Sequence, residues 1–555
     1  MTKPEKTTNG SNASPTERTT PTARTAPTAR TTPNAQTTST ARMTSTARTN
    51  LTVRTAQTMR TAPTARTAPT ARPSSAGKRK RADSQAVLLR EDTKPVRTTG
   101  TAEDVQPGDR IVVTVKRIGI NGEGVGYYKR KAVFIPGALP EEVVKAQVTR
   151  VEPTYLSAEL VQIEKKSTDR KTPECPVYDA CGGCQLQHMR YEGQLRAKEE
   201  LVREAFRRYV GSEPVPIRPI LGMDEPWGYR NKAQLQVGTA QGKLITGLYS
   251  PGTHRLVDVS GCKVQHPAIN EVVREVADIA AELGIPAYHE KTGKGLLRTI
   301  VARIARHTGE VQVTLVTAAP DLPDKDRLIA RIREQLPMVK TIAQNVNRSF
   351  SPLIFGDETT VLWGQEHIRE VLGELPFDLS PRSFFQLNPE QTVKLYETVA
   401  EAANLQGGEL VVDAYCGTGT IALWLAPHAA EVRGIETVAE AVADARRNVV
   451  IAGFSNVQFF VGRAEELLPQ WIAQGIRPDV VVADPPRTGC DAALLKAIIR
   501  SRPRRMVYVS CNPSTLAKDC KMLLDGGFRI EWIQPVDMFP QTAHVECIVS
   551  THFTG

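Results

Sequence analysis

Asp413-Ala-Tyr-Cys-Gly-Thr-Gly-Thr420 is the stretch on which the reading of this chain turns. Residues 409–413 have the apolar run of a buried strand, and those after the motif open a helix. Glycines 417 and 419 allow a tight backbone turn against a ligand at the helix N-terminus. Outward from that turn, strand-like segments at 409–413, 431–436, 457–461, 479–483 and 505–510 alternate with helical ones, the clearest at 439–452. Such alternation predicts a parallel, doubly wound, Rossmann-like sheet. Two later runs, 530–536 and 545–552, are placed to close it antiparallel. Glu436 ends the second strand, where a carboxylate can hold the ribose hydroxyls of an adenosine. Gly417-x-Gly419-x-x-Ala422 also fits a dinucleotide, so this motif predicts a nucleoside cofactor and leaves its identity open.

Two later motifs choose between the cofactors. Asp484-Pro485-Pro486-Arg487 ends the fourth strand, where methyltransferases acting on nucleic-acid bases place a rigid acidic loop beside the reacting base. A dehydrogenase has no use for it there. Ser510-Cys511-Asn512-Pro513 ends the fifth strand, on the edge where open α/β sheets bind substrates. Carbon 5 of uracil is a poor nucleophile until a thiolate adds to carbon 6, and a cysteine both adds and leaves well. A base must then remove the carbon-5 proton, and Glu546, in His544-Val545-Glu546-Cys547, is the candidate.

The 555 residues exceed one hydrophobic core, and a multidomain α/β chain is expected. Residues 1–100 are a Thr/Ala/Arg/Pro tail in which Arg recurs every six residues from Arg18 to Arg72, with Gln36 in one slot. They hold 18 Lys+Arg and 5 Asp+Glu, so the remaining residues carry about −2 of the net +11. Such a segment is expected to be disordered. It reads either as a salt-sensitive polyanion tether or as a repeat expansion without a role. Residues 103–164 are expected to form a small OB-like β-barrel, with a Gly-rich turn at 119–128. Lys116, Arg117, Tyr127, Tyr128, Lys129, Arg130 and Lys131 give it the basic and aromatic surface that suits unpaired bases and phosphates. A central α/β domain is expected over 165–380, with helices at 196–209 and 268–283 and strands at 232–237, 297–306, 311–316 and 341–345. The catalytic domain is expected over 381–555.

Nine irregularly placed cysteines argue for reduced thiols, metal ligands or a nucleophile rather than a disulfide framework. No apolar run reaches the roughly 18 residues that a membrane span needs, and no secretory signal is read at the N-terminus. The expected setting is cytoplasmic, with no membrane partner.

Together these motifs resemble the bacterial RNA uridine-5-methyltransferase family over residues 104–555, and residues 103–164 resemble a TRAM domain. The resemblance implies S-adenosylmethionine as methyl donor, contacted by Gln386 of Ser383-Phe-Phe-Gln-Leu-Asn388, by Tyr415, Glu436 and Asp484, and by the Gly417, Gly419 and Thr420 turn. Thr420 stands where related sequences often carry Asn, which weakens its assignment. Cys511 and Glu546 match the family's nucleophile and base.

Cys175-x5-Cys181-x2-Cys184 follows the barrel, and Cys262 comes later. Four thiolates can hold an iron–sulfur cluster or zinc. Spacing leaves zinc open, and His188 could compete as a ligand. The radical-methylase spacing Cys-x3-Cys-x2-Cys is absent. The pattern resembles the branch of the family that carries a [4Fe–4S] cluster and modifies 23S ribosomal RNA, whereas the transfer-RNA branch generally lacks both barrel and cysteines. A monomer acting on RNA, without DNA, is expected. Two rival readings stand beside it: a non-catalytic RNA-binding or ribosome-assembly factor, and an exocyclic-amine methylase, which leaves Cys511 unexplained.

Overall fold

A computed structural model describes residues 105–211, 215–350 and 353–555. The chain divides into Met1–Glu91 and Asp92–Gly555, and all that follows concerns the second unit. The repeat tail lies outside the described residues.

The first five strands, β1 (Arg110–Ile118), β2 (Gly124–Tyr128), β3 (Lys131–Ile135), β4 (Val143–Val151) and β5 (Tyr155–Lys165), close into a barrel in the order β1-β2-β3-β5-β4. Strict alternation on β1 buries Ile111, Val113 and Val115 inside it. The glycines at 124 and 126 belong to a strand, which corrects the expected turn at 119–128. A Cβ on Gly124 would fall 2.6 Å from the Ala138 carbonyl, and one on Gly126 the same distance from that of Thr114. They are there for close approach of backbone inside a small barrel. Lys129 and Arg130, both with positive φ, form the two-residue turn between β2 and β3.

After the short α1 (Tyr178–Cys181) and the long α2 (Tyr191–Tyr209) comes a seven-stranded sheet. It contains β6 (Lys232–Ala240), β7 (Lys243–Tyr249), β8 (Leu256–Asp258), β9 (Leu297–Ile304), β10 (Val311–Thr317), β11 (Val339–Val346) and β12 (Glu358–Gly364), in the order β12-β11-β10-β9-β6-β7-β8. Helices α3 (Pro267–Glu282) and α4 (Lys325–Gln335) cover one face. A hairpin, β13 (Ile368–Leu372) and β14 (Leu375–Leu379), leads to α5 (Pro389–Ala403).

The carboxyl-terminal sheet comprises β15 (Leu410–Asp413), β16 (Glu431–Glu436), β17 (Val457–Val461), β18 (Val480–Ala483), β19 (Arg505–Ser510), β20 (Phe528–Val536) and β21 (Glu546–Phe553). Its order is β17-β16-β15-β18-β19-β21-β20; the first five strands are parallel and β21 runs antiparallel to both neighbours. Between them run α6 (Thr420–Leu425), α7 (Ala439–Ala452), α8 (Ala464–Ala473), α9 (Ala492–Ser501) and α10 (Pro513–Asp525). The continuous apolar runs of β18 and β19 follow from burial on both faces.

Packing does not respect linear order. Val202, Ala205 and Phe206 of α2 join the core beneath α10 and β20, and Phe377 and Leu379 of the β13–β14 hairpin join the core on the other face. Both elements fall within 165–380 yet pack on the carboxyl-terminal sheet.

Candidate active site

Parallel strands put their carboxyl ends on one edge, and this edge gathers the chemistry. Asp413 ends β15, Glu436 ends β16, Asp484 follows β18 and Cys511 follows β19. The β19–β21 register sets Ser510 opposite Cys547, so the next residues outward, Cys511 and Glu546, are neighbours on adjacent strands.

At the glycine turn, φ is +54° at Gly417 and +83° at Gly419. A Cβ on Gly419 would also meet the Phe459 ring at 2.5 Å, while one on Gly417 would project into open space. That opening at the head of α6 is a cradle for a ligand. The Gly417 amide donates to a Glu436 carboxylate oxygen (3.2 Å), and the other oxygen accepts from the Val438 amide (2.8 Å) and the Thr437 hydroxyl (2.9 Å). Glu436 is thereby pre-oriented at the cradle's rim.

The 380–388 loop is held against this turn. The Thr418 hydroxyl donates to the Phe384 carbonyl (3.3 Å), and the Asn231 side chain and amide donate to the carbonyls of Gln386 (3.1 Å) and Leu387 (3.0 Å). Gln386 thus stands near the glycine turn. Tyr415 is half-buried, with its phenol near Cys490, and burial raises its pKa. The Thr420 hydroxyl pairs with the Tyr396 hydroxyl at 2.6 Å, on the side facing α5.

Asp413 is fully buried and neither of its oxygens makes a well-formed hydrogen bond; burial first, then Asp484, pushes its pKa up to about 7, with the Tyr415 and Ala422 amides opposing. Burial raises Asp484 to about 7 as well. A carboxyl whose folded pKa lies above its unfolded one costs stability increasingly as pH climbs between the two values, here from about 3.8 to about 7. Asp413→Asn is therefore expected to melt higher than the parent at pH 8, by on the order of 2 kcal/mol, and to match it near pH 4. Thermal melts across that range check this; a gain that did not widen with pH would contradict it.

Cys511 is half-buried, and burial first, then the charges of Glu546 and Asp484, push its thiol up to about 11, with Arg487 opposing. Burial and Asp484 raise Glu546 well above the carboxylate range, again against Arg487. Burial thus favours the protonated form of each group, and Arg487 favours the charged form of each. Arg487 is a cation that acts on both groups, and its Nη1 lies 3.5 Å from Nδ1 of His544. The motif exposes Arg487 in the sequence without revealing that its charge opposes the upward shifts of Cys511 and Glu546. Asn512, the N-cap of α10, donates to the Arg487 carbonyl (3.0 Å) and joins the two motifs.

The segment leading to Glu546 is clamped from several sides. Lys198 Nζ donates to Asp537 (2.6 Å), both side chains being fully buried, and Tyr191 donates to the same carboxylate (2.9 Å). Gln194 and Gln541 exchange two hydrogen bonds. The amides of Gln185 and Leu186, beside Cys184, both donate to the Gln541 carbonyl (3.1 and 2.9 Å).

Cys175, Cys181, Cys184 and Cys262 lie within electrostatic reach of one another, each half-buried. Burial, together with the other thiols, pushes Cys184 up to about 12. Among the described residues, no three Cys, His, Asp or Glu side chains converge at the spacing of a single metal ion. His188 Nδ1 is 2.6 Å from the Tyr178 hydroxyl, and the charges that act on it are Arg170 and Glu142 rather than the thiols. No helix among the described residues is long and apolar enough to cross a membrane.

A family model described as tRNA (uracil-5-)-methyltransferase matches residues 190–552, most of the chain. The chain belongs to that family. It is an RNA uracil-5-methyltransferase of the S-adenosylmethionine-dependent kind, and residues 104–161 match the TRAM domain, which is the barrel. Uncharacterized RNA methyltransferases of Halalkalibacterium halodurans and Bacillus anthracis are each 53% identical to this methyltransferase, over 81% and 80% of its chain and 98% and 97% of theirs. The crystal structure of the Pyrococcus abyssi tRNA (uracil-54, C5)-methyltransferase in complex with S-adenosyl-L-homocysteine covers 80% of this chain and 100% of its own, with a TM-score of 0.63 and 29% identity.

Proposed function

We propose that this enzyme methylates carbon 5 of a uridine in 23S ribosomal RNA through a covalent adduct on Cys511. The observation that carries the reading is the adjacency of Cys511 and Glu546 across β19 and β21. Bound S-adenosylmethionine supplies an electrophilic methyl group. Glu436 would hold its ribose, with Gly417, Gly419, Gln386, Tyr415 and Asp484 around it and Thr420 behind.

The Cys511 thiol gives up its proton to solvent and the sulfur adds to carbon 6 of the uracil, which breaks the 5,6 double bond and makes carbon 5 enolate-like and nucleophilic, while Glu546 stays ionised for the later step. Pro513, the first residue of α10, puts Cys511 just before a helix N-terminus, where the backbone dipole favours the thiolate. Arg487 acts in the same direction. Once carbon 5 carries the methyl group, Glu546 takes its proton. The double bond re-forms and Cys511 leaves as the thiolate. Burial makes Glu546 a stronger base when ionised than an exposed carboxylate.

Cys175, Cys181, Cys184 and Cys262 would hold a [4Fe–4S] cluster, with zinc as the alternative, a reading supported by the resemblance to the cluster-bearing branch. Cys181 and Cys184 each feel the charges of Cys175 and Cys262, and a cubane binds one thiolate at each corner. Arg230, whose charge acts on Cys184 and Cys262, would offset thiolate charge. Such a cluster would brace the 185–186 amides that hold Gln541, upstream of Glu546.

The combination of barrel and cysteine set supports ribosomal RNA as substrate and the cytoplasm as the setting. Transfer RNA is the second reading, favoured by the likeness to the Pyrococcus enzyme. Labelled S-adenosylmethionine offered with unmethylated 23S and transfer RNA, followed by nucleoside analysis, separates them. Label in 5-methyluridine from 23S RNA is expected; label confined to transfer RNA would overturn the substrate assignment and keep the chemistry.

A further inference from the structure

The loop from Asp484 to Asp491 carries two charges that act on Cys511 and Glu546, and one face of α10 holds it. Asn512, Thr515 and Asp519 stand at i, i+3 and i+7, along a single helical stripe. Asn512 and Thr515 donate to the Arg487 carbonyl at 3.0 and 3.3 Å. About one turn further on, Oδ2 of Asp519 accepts from the Cys490 amide (2.9 Å) and from the Tyr508 hydroxyl (2.6 Å), and that hydroxyl also accepts from the Cys490 amide (3.1 Å). Gly489, with φ of +87°, brings the loop so close that a Cβ there would lie 2.6 Å from the same Oδ2. Tyr508 is fully buried and Asp519 half-buried, and no salt bridge engages Asp519 among the described residues. Burial raises the pKa of this half-buried carboxylate while the Tyr508 hydroxyl, the Cys490 amide and the charge of Lys518 oppose it, so its two donors from one loop and one strand are bound at a desolvation cost.

The arrangement has a mechanical reading. Cys511 immediately precedes α10, so the nucleophile and the Asp519 clamp ride on one rigid element. Arg487 and Asp484 ride on the clamped loop. Fixing Cys490 to α10 fixes the cation and the carboxylate at a set distance from the thiol.

We propose that Asp519 is a positioning residue for methyl transfer, which holds the Asp484–Asp491 loop so that Arg487 stays beside Cys511 and Glu546. It touches neither RNA nor methyl donor. The role rests on Cys511 being the nucleophile.

The groups whose charge reaches the thiol are Glu546 and Asp484, which hinder its ionisation, and Arg487, which favours it; His544 neighbours Arg487. Freeing the loop withdraws Arg487's help. In Asp519→Ala, alkylation of Cys511 by iodoacetamide, followed on its own peptide by mass spectrometry, is expected to shift to higher pH. kcat is expected to fall about 10- to 100-fold, as for misplacement of a catalytic group by about an ångström, while KM for S-adenosylmethionine stays within about threefold. Both hydrogen bonds end on one oxygen, so the carbonyl of Asp519→Asn can accept both, and that variant is expected to recover most of kcat and the parental alkylation curve. Asp519→Ala that melts lower but keeps the parental alkylation curve and kcat would overturn the proposal, as would an Asn variant as impaired as the Ala one. Methyl transfer that survives Cys511→Ala would instead fail the reading underneath. Transfer lost in that variant yet untouched by Asp519→Ala overturns the role of Asp519 alone.

Discussion

Cys511→Ala is expected to abolish methyl transfer, with a loss of at least about 10⁴-fold in kcat, while RNA and S-adenosylmethionine still bind. Removing the thiol removes the only route by which carbon 5 becomes nucleophilic, so no neighbouring group substitutes for it in part. Cys490 does not, being tied by hydrogen bonds to Tyr508 and Tyr415 and held up to about 12 by burial. The fold should tolerate the change: the side chain is only half-buried, and the α10 cap is built by Asn512. Single-turnover transfer, with binding followed separately, checks both halves of the expectation.

Lys198→Met carries the largest expected effect on stability. Lys198 and Asp537 form an ion pair at 2.6 Å with both side chains fully buried. Removing one partner leaves a carboxylate buried without a counter-charge, at a cost of about 3–5 kcal/mol. Tyr191 would still donate to Asp537 but would not neutralise it. Lys198 also donates to the Phe539 carbonyl (3.2 Å), so the damage reaches the segment that precedes Glu546. A marked fall in melting temperature is expected, accompanied by loss of activity in the surviving folded protein. Adding Asp537→Leu should return part of the stability, because no lone charge then remains inside. A single variant as stable as the parent would show that water reaches the pair.

The reading from sequence succeeded where a residue pattern has a local cause. Strands 431–436, 457–461 and 505–510 and helix 439–452 coincide with β16, β17, β19 and α7, because a run buried on both faces, as in β19, alternation such as Val457 and Phe459 inside β17, and a well-phased helix announce themselves. β12 gives no apolar strand signal in the sequence, since no residue in Glu358–Gly364 is fully buried. The glycines of β2 read as a turn in the sequence because their reason, a neighbouring backbone, lies in the folded barrel. At the edge of the catalytic sheet, the motifs named Cys511, Glu546 and Asp484, each at a strand end. They could not give the clamp around Glu546: Lys198 and Asp537 are 339 residues apart and neither sits in a motif. Arg487 was in view as part of Asp-Pro-Pro-Arg, but its effect on two pKa values exists only once β18, β19 and β21 lie side by side.

The most direct test of the central claim is trapping on RNA that carries 5-fluorouridine, where the base cannot remove fluorine from carbon 5 as it would a proton. With S-adenosylmethionine present, a denaturant-stable protein–RNA adduct is expected, and peptide mapping should place the nucleotide on Cys511, with no adduct in Cys511→Ala. Release of methylated 5-fluorouridine RNA without an adduct, or attachment at any other residue, would contradict covalent catalysis by Cys511.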